Sequence, residues 1–187
     1  ADGRCIDMPA EPADTPLKDE VRQTAYETFE TAGLVFAYLG PDPVPLLPNF
    51  DLLFRKDCHR VLYSKEEHCN WLQRAENGYD PHHLMALHAP GYPQIALQPA
   101  KITWEKTLYG YRTQMDYPVG LVNVTQQVFP SHTRRLAARV GNAPKHYFNL
   151  RVPVDDELTI TFFLQAEIAE KGPYRLETRG HASSDRL

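Results

Sequence analysis

The stretch from residue 146 to residue 164, HYFNLRVPVDDELTITFFL, decides the fold of this chain. Two runs rich in β-branched and aromatic residues, 146–154 and 158–164, flank the acidic residues Asp155, Asp156 and Glu157. Runs of this composition on either side of a short polar segment are typical of a β-hairpin. We therefore predict two adjacent antiparallel strands that turn at these acidic residues, which serve as ordinary loop residues.

Shorter runs of the same texture lie upstream, from Lys101 onward. They are separated by turn residues and occupy 102–104, 109–112 and 122–125. Such runs at short intervals predict further antiparallel strands in the same sheet. From residue 166 to residue 187 the alternation is lost, and we expect the sheet to be incomplete there.

Two helices are predicted between residues 64 and 88. Ser64 is followed three residues later by Glu67, which fits a capping box and places a first helix at about 65–76. A second, short helix is predicted at about 82–88, before a Pro-Gly pair. Together with the strands, these helices predict an α+β fold.

The prolines divide the chain. Of 16 prolines, four lie between residues 41 and 48 and predict an extended linker at 41–50, because proline fits neither a helix interior nor a central strand. The linker separates a unit at 1–40, in which Gly33 opens an apolar strand, from a unit at 51–187. About 40 residues are too few for an unaided domain, so we expect the first unit to be the tail of a larger domain, with a truncated N-terminus.

Composition excludes several classes of protein. The 187 residues carry 20 Lys plus Arg against 24 Asp plus Glu, a formal charge of −4, which excludes a basic nucleic-acid binder. With 42% hydrophobic residues the chain has enough apolar material for a core, and no apolar run approaches the roughly 18 residues of a membrane helix. Cys5, Cys58 and Cys69 form no paired pattern, which indicates a reducing compartment and predicts a cytoplasmic protein.

Side chains that bind metals are concentrated in residues 70–88, NWLQRAENGYDPHHLMALH, which hold three of the eight histidines. Neutral imidazole is the commonest metal ligand near neutral pH, and a carboxylate, Asp80, lies close by. His83 and His88 are five residues apart, which places them roughly 140° out of phase on a regular α-helix. A π-type turn, or a helix that ends between them, would let the two rings converge. The alternative is that they are polar positions on a partly exposed helix.

The same segment resembles a known motif. Asn70-Trp71-Leu72-Gln73, followed by Glu76, Asp80, His83 and His88, resembles the mononuclear-iron motif of Rieske non-haem iron oxygenases, particularly the group that includes phthalate dioxygenase. The core of that motif is Asp-x-x-His-x-x-x-x-His. Residues 2–12 and 33–41 resemble the end of the family's Rieske domain, and 129–130 and 151–156 resemble strands of its catalytic sheet. The similarity runs from residue 1 to about residue 165.

The resemblance assigns roles to single residues. His83 and His88 would be two ligands of an Fe(II) facial triad, and Asp80 would bridge an iron-bound histidine to a cluster-bound histidine of a neighbouring subunit. Asp80 could equally cap the helix that follows Pro81. Asn70 and Glu76 would lie behind the ligands, or would simply be surface residues of a helix. His82 has no counterpart among the family's ligands and is interpreted as a bystander.

The resemblance also implies an architecture. Residues 1–40 would be the tail of an all-β Rieske [2Fe–2S] domain, and 51–187 the N-terminal part of a mononuclear-iron catalytic domain with a helix-grip antiparallel sheet. The Cys-x-His and Cys-x-x-His halves of the cluster motif do not occur in the sequence. In the family the third iron ligand is an acidic residue of a later helix, which we expect beyond Leu187. The chain is therefore interpreted as a fragment of an oxygenase α subunit.

The implied activity is oxidative. The whole enzyme would take electrons from a flavin- and iron–sulfur-containing reductase through the [2Fe–2S] cluster to Fe(II), and use O₂ to hydroxylate or demethylate an aromatic, carboxylated substrate. The family resemblance further implies a homo-oligomer, a trimer. Two alternatives stay open: a non-catalytic ligand-binding module or inactive remnant, and a metal-dependent hydrolase that uses the two histidines. The predicted strands also carry six aromatic residues, which we expect either to line a pocket for a ring or simply to pack in the core: Trp104, Tyr109, Tyr111, Phe129, Phe148 and Phe162.

Overall fold

The computed structural model describes residues 2–88, 91, 99–139, 141–168 and 176–180. The chain divides into two units, Ala1–Asn49 and Phe50–Leu187. Residues 40–46, within the proline-rich segment, are exposed to solvent. Among the residues described, no helix is both long enough and apolar enough to cross a membrane.

The first unit contains one short helix, α1 (Leu17–Glu20), and one hairpin, β1 (Thr28–Thr31) with β2 (Leu34–Ala37). Its loop residues, Ala32 and Gly33, both have positive φ, 52° and 78°. A two-residue loop of this kind matches the right-handed twist of the flanking strands. Strand β2 confirms the strand predicted after Gly33. Strand β1 was missed because most of its side chains are exposed and show no apolar alternation.

The second unit is a sheet with helices against it. Its elements in chain order are α2 (Asp51–Phe54), β3 (Cys58–Glu67), α3 (Trp71–Tyr79), α4 (His82–Ala86), β4 (Lys101–Thr107), β5 (Gly110–Asp116), β6 (Leu121–Val128), β7 (His132–Arg139), β8 (Lys145–Pro153), β9 (Thr159–Ile168) and β10 (Leu176–Thr178). The strands follow the order β10-β3-β9-β8-β7-β6-β5-β4. Neighbours are antiparallel except β10 and β3, which are parallel. The predicted α+β class is confirmed.

The hairpin that decides the fold forms as predicted. Strands β8 and β9 pair from His146 with Ala166 to Pro153 with Thr159. In the turn, the Asp155 carboxylate accepts hydrogen bonds from the backbone N–H groups of Glu157 and Leu158, both at 2.8 Å. An aspartate that bonds to the backbone just ahead of it stabilises a tight turn.

The helix predicted at 65–76 is wrong. Residues 64–67 end strand β3, in which Ser64 pairs with Phe162 and Glu67 with Thr159. The helix begins at Trp71 instead, where the Asn70 side chain accepts a hydrogen bond from Leu72 N at 2.9 Å. The Ser-x-x-Glu pattern is a local signal, and pairing with a strand from the far end of the unit overrides it.

Two further strands depart from the expectation. Strand β7 was missed, since its adjacent arginines, Arg134 and Arg135, interrupt the apolar pattern. The sheet also continues beyond residue 166, because β9 runs to Ile168 and β10 pairs with β3. Residues 169–175 and 181–187, where loss of the sheet was also predicted, lie outside the described residues.

The two faces of the sheet differ in character. Side chains alternate between faces along a strand, so the odd-numbered residues of β8 and β9 point to one face of the sheet and the even-numbered residues to the other. The even-numbered face carries an apolar core, which α2 covers and which includes Leu52, Leu53, Leu62, Phe148 and Leu164, all at most 7% exposed. The odd-numbered face is mostly polar on β8 and β9, and α3 and α4 lie on that side. Near β5 the same face carries a small apolar cluster of Met85, Met115 and Tyr117. This separation leaves the second face free to form a cavity.

Candidate metal and substrate site

A cavity of about 400 Å³ lies between the polar face of the sheet and the segment from α3 to His88. Paired positions on five neighbouring strands form a row across its floor: Thr113, Thr125, Arg135, Tyr147 and Gln165. Its volume is within the range of about 300–1,000 Å³ that is usual for small-molecule sites. The site therefore has room for a small organic ligand.

Helix α3 turns one face toward the cavity. Arg74, Asn77 and Gly78 lie three and four residues apart, which puts them on one side of a helix, and all three line the cavity. Ala75 is fully buried. Asn70 caps the helix start and lies away from this cavity, and Glu76 is exposed, so both residues fit the surface-helix alternative.

The two histidines of the motif converge. Helix α4 ends at Ala86, so His88 lies beyond the helix, and the angular spacing of a regular helix does not fix the direction of its side chain. Both rings line the cavity, with centroids 5.4 Å apart and planes at 70°. A metal bound through a ring nitrogen at about 2.1 Å lies roughly 3 Å from that ring's centroid, so two rings on one metal have centroids up to about 6 Å apart. The separation therefore fits a single shared metal ion.

The backbone of Asp80 orients the first of these rings. His83 Nδ1 lies within hydrogen-bond distance of the Asp80 carbonyl oxygen. A carbonyl oxygen can only accept, so Nδ1 carries the proton and donates it. The lone pair is then on Nε2, the nitrogen left for a metal. A second hydrogen bond that fixes the tautomer in this way is typical of histidine ligands.

The Asp80 side chain begins α4. Its Oδ1 accepts a hydrogen bond from His82 N at 2.8 Å, which is the capping contact that the Asp-Pro sequence suggests. The side chains of Asp80 and His82 are 55% and 70% exposed. Asp80 lines the cavity mouth, whereas His82 is not among the lining residues. The structure thus brings Asp80, His83 and His88 together and leaves His82 outside.

Cationic side chains dominate the charge of the cavity. Arg74, Arg135 and Arg151 line it. Arg74 is paired with Glu67, Nε to Oε1 at 2.6 Å, whereas the Arg135 guanidinium lies over the Tyr147 ring at 4.3 Å from its centroid. An arginine held against an aromatic ring presents its remaining donors in a plane that suits a carboxylate.

The aromatic residues of the cavity are not those considered from the sequence. Trp104, Tyr109 and Phe129 are more than half exposed, and Phe148 is buried in the core on the other face. The cavity is lined instead by Tyr63, Tyr147 and Phe163, and the rings of Tyr63 and Phe163 stack at 5.0 Å. Strand alternation is the signal that could have found them, because they are the odd-numbered aromatics of β3, β8 and β9.

Within the described ranges, no group of three or more His, Cys, Asp or Glu side chains is arranged to hold a metal ion. His83 and His88 are therefore the candidate ligands in this part of the chain, and metal binding by them stays a prediction. A third ligand stays a prediction.

Comparison with known proteins gives the family of this chain. No family model matches the sequence. The chain is 35% identical over 190 residues to the oxygenase subunit of tert-butanol monooxygenase / tert-amyl alcohol desaturase from Aquincola tertiaricarbonis, covering 86% of this chain and 40% of that protein. It is 30% identical over 195 residues to the 5,5'-dehydrodivanillate O-demethylase oxygenase subunit of Sphingobium sp. (strain NBRC 103272 / SYK-6), covering 95% and 44%.

Among solved structures, the Pseudomonas putida CBB5 NdmA QL mutant with caffeine matches with a TM-score of 0.70 at 20% identity, over 91% of this chain and 52% of that chain. This likeness concerns the fold. The two sequence relatives show that the chain belongs to the Rieske non-haem iron oxygenases and matches part of their oxygenase subunits. The chain spans less than half the length of the two relatives described above.

Proposed function

We propose that this chain is the part of a Rieske oxygenase α subunit that supplies two histidine ligands, His83 and His88, to the mononuclear iron. The observation that carries the proposal is the convergence of these rings at one cavity, with His83 oriented by the Asp80 carbonyl. His83 and His88 would hold the metal, which would supply the activation of O₂ when electrons reach it from a reductase and a [2Fe–2S] cluster. This chain's own contribution is to hold the metal, to orient the first ring and to shape the space beside them.

The proposed substrate is an aromatic carboxylate that is hydroxylated or oxidatively demethylated. The stacked pair of Tyr63 and Phe163 offers a flat apolar wall for a ring, and Arg135 offers a planar donor for a carboxylate. One relative is named for O-demethylation and another for tert-butanol oxidation, so the relatives alone do not select an aromatic substrate. Arg135 and the stacked rings are the reason for this choice.

The proposed role of Asp80 is to connect this site to a cluster-bound histidine of a neighbouring subunit in a homo-oligomer, a trimer. Its carboxylate is about half exposed, which suits contact with a group from another chain. The capping bond to His82 N uses one carboxylate oxygen, and the geometry is compatible with both roles.

The test of the metal site is anaerobic loading with Fe(II), followed by measurement of iron and sulfide. We expect about one iron per chain and no sulfide, because two imidazoles converge and the cluster motif is absent. The variant with both His83→Ala and His88→Ala should bind none, whereas His82→Ala, in the exposed neighbouring histidine, should bind as the wild type does. Iron that persists in the double variant would contradict the proposal. A wild-type chain without iron would favour a non-catalytic ligand-binding module.

The test of the substrate class uses the same chain. Benzoate and neutral benzamide differ in charge and little in shape. We expect benzoate to bind more tightly than benzamide, and Arg135→Leu to remove most of that preference, because the guanidinium is the proposed carboxylate donor. Isothermal titration on the wild type and the variant measures both. Equal affinity for the two compounds in the wild type would contradict an aromatic carboxylate as the substrate.

A further inference from the structure

A series of hydrogen bonds crosses three strands at the floor of the cavity and ends on the backbone of α3. Arg151 on β8 donates from Nη1 to Thr133 Oγ1 on β7 at 2.9 Å, and Thr133 donates to Gln127 Oε1 on β6 at 2.8 Å. Gln127 in turn donates from Nε2 to the carbonyl oxygen of Gly78 at 3.1 Å. The three side chains are only 2%, 5% and 1% exposed.

The chemistry of the groups fixes the direction of this series. A guanidinium can only donate, so the Thr133 oxygen accepts from Arg151 and its own proton points to Gln127. The amide oxygen of Gln127 therefore faces Thr133 and its nitrogen faces Gly78. Hydrogen bonds aligned in one direction polarise one another, and burial keeps water from replacing them.

Gly78 is the point at which this series holds the helix. It lies in the last turn of α3, where carbonyl groups have no partner within the helix and need an outside donor. A Cβ atom at Gly78 would lie 3.3 Å from Arg151 Nη2, so glycine allows α3 to lie close to the buried guanidinium. Gln127 supplies the donor that this end of the helix needs.

We propose that Gln127 is a positioning residue for the metal ligands. Asp80 follows Gly78 by two residues, and the Asp80 carbonyl orients the His83 ring. A displacement at Gly78 therefore shifts the acceptor that fixes the His83 tautomer. The inference rests on the proposed function, in which His83 and His88 hold iron, and adds a residue from β6 that lies outside the motif.

The test variant is Gln127→Met, which keeps the length of the side chain and removes its hydrogen bonds. Gln126→Met is the matched control, because Gln126 precedes Gln127 on β6 and its side chain points to the other face. Its Nε2 lies at 3.0 Å from Thr107 Oγ1, 3.2 Å from the Tyr111 carbonyl and 3.0 Å from the Gln127 carbonyl, so the variant removes a similar number of hydrogen bonds without touching Gly78. We expect Gln127→Met to weaken Fe(II) binding at least about tenfold, as changes behind a ligand usually do. Gln126→Met should leave the affinity unchanged.

A second readout needs no metal. Long-range proton–nitrogen NMR spectra at about pH 8, where an ordinary histidine is neutral, report which ring nitrogen carries the proton. We expect the Nδ1–H form of His83 in the wild type and in Gln126→Met, and a mixture of tautomers in Gln127→Met. Thermal unfolding confirms that each variant is folded. If Gln127→Met does not fold, Gln127→Glu replaces it, because an ionised carboxylate of nearly the same shape cannot donate to the Gly78 carbonyl.

The outcomes separate this inference from the proposed function. The positioning role of Gln127 would be overturned if the His83 tautomer were the same in Gln127→Met as in the wild type. It would also be overturned if the wild type bound iron and Gln127→Met bound it with the same affinity. A wild-type chain that binds no iron would overturn the proposed function, and with it the role of Gln127 toward a metal. In that case the NMR comparison still decides whether Gln127 holds the His83 ring.

Discussion

Asp80 uses its backbone and its side chain for different tasks. The carbonyl oxygen accepts from His83 Nδ1, and the carboxylate accepts from His82 N. The first contact sets the tautomer of a proposed ligand, and the second starts the helix that carries it. A change of side chain therefore affects the helix start while leaving the carbonyl in place.

Two substitutions at Asp80 should differ in stability. Asp80→Ala removes the acceptor for His82 N and should lower the free energy of unfolding by about 1 kcal/mol, whereas Asp80→Asn keeps a capping oxygen and should cost little. Urea unfolding of both variants measures the difference. Equal losses in the two variants would show that the cap contributes nothing and that the carboxylate charge matters instead.

His132 is a histidine that folding keeps neutral. Its ring stacks on Phe50 at 4.8 Å and lies 5.8 Å from the ring of Phe148. Burial, with a smaller contribution from the charge of Arg151, lowers the pKa of His132 from its ordinary value of 6.5 to about 4. The unfolded chain therefore binds this proton more readily than the folded chain does.

The stability of the protein should consequently depend on pH through His132. Because the pKa is lowered in the folded state, the contribution is complete above pH 6.5 and is lost as the pH falls toward about 4. The free energy of unfolding should fall by on the order of 2 kcal/mol over this range. This is less than the full pKa shift of His132 implies, because the ring is partly exposed. His132→Phe should flatten this part of the pH dependence of urea unfolding. An unchanged slope would mean that other groups account for it.

Helix α3 is held to the sheet near both of its ends. Near the start, Glu67 accepts from Arg74 and from Thr161 on β9, and near the end Gln127 donates to Gly78. These contacts join the helix to three different strands. The position of residues 80–88, which follow α3 and carry the two proposed ligands, therefore depends on the sheet and not on the helix alone.

The ion pair at the start of α3 should contribute far more than a surface pair. The Glu67 and Arg74 side chains are 10% and 24% exposed, and Glu67→Gln leaves the Arg74 guanidinium without a charged partner, so the free energy of unfolding should fall by about 2 kcal/mol. Glu105→Gln is the control, because the Glu105–Arg112 pair is exposed and 3.6 Å apart and should change stability by less than about 0.5 kcal/mol. Chemical denaturation of both variants measures the difference. Similar losses in the two variants would contradict a larger contribution from the partly buried Glu67–Arg74 pair.

The parts of the fold that could be predicted are those with local signals. The β8–β9 hairpin has both strands and its turn within one short stretch, and the ordered motif leads to His83 and His88. The last residues of β3, 65–67, were predicted as the start of a helix because the partner strand lies almost a hundred residues away, where Ser64 meets Phe162. The floor of the cavity was missed for the same reason, since it is built from one residue on each of several strands.

The whole chain consists of two units joined by an exposed segment. Val44 is 41% and Leu46 is 94% exposed, and the division between the units falls after Asn49. We expect brief digestion with a protease of broad specificity to cut first within residues 40–49 and to leave a resistant fragment that begins near Phe50. Mass spectrometry of the products identifies the cut. First cleavage within the β-sheet of the second unit would contradict this organisation.

The placement of odd-numbered and even-numbered side chains of β8 and β9 on opposite faces has a consequence for the evolution of such a protein. On these strands, Tyr147, Asn149 and Gln165 face the cavity, whereas Phe148 and Leu164 pack in the core. A substitution at a cavity position can alter which molecules are accepted while the packing that keeps the chain folded stays intact. Selection can therefore act on substrate choice at one set of positions and on stability at the next, within the same two strands.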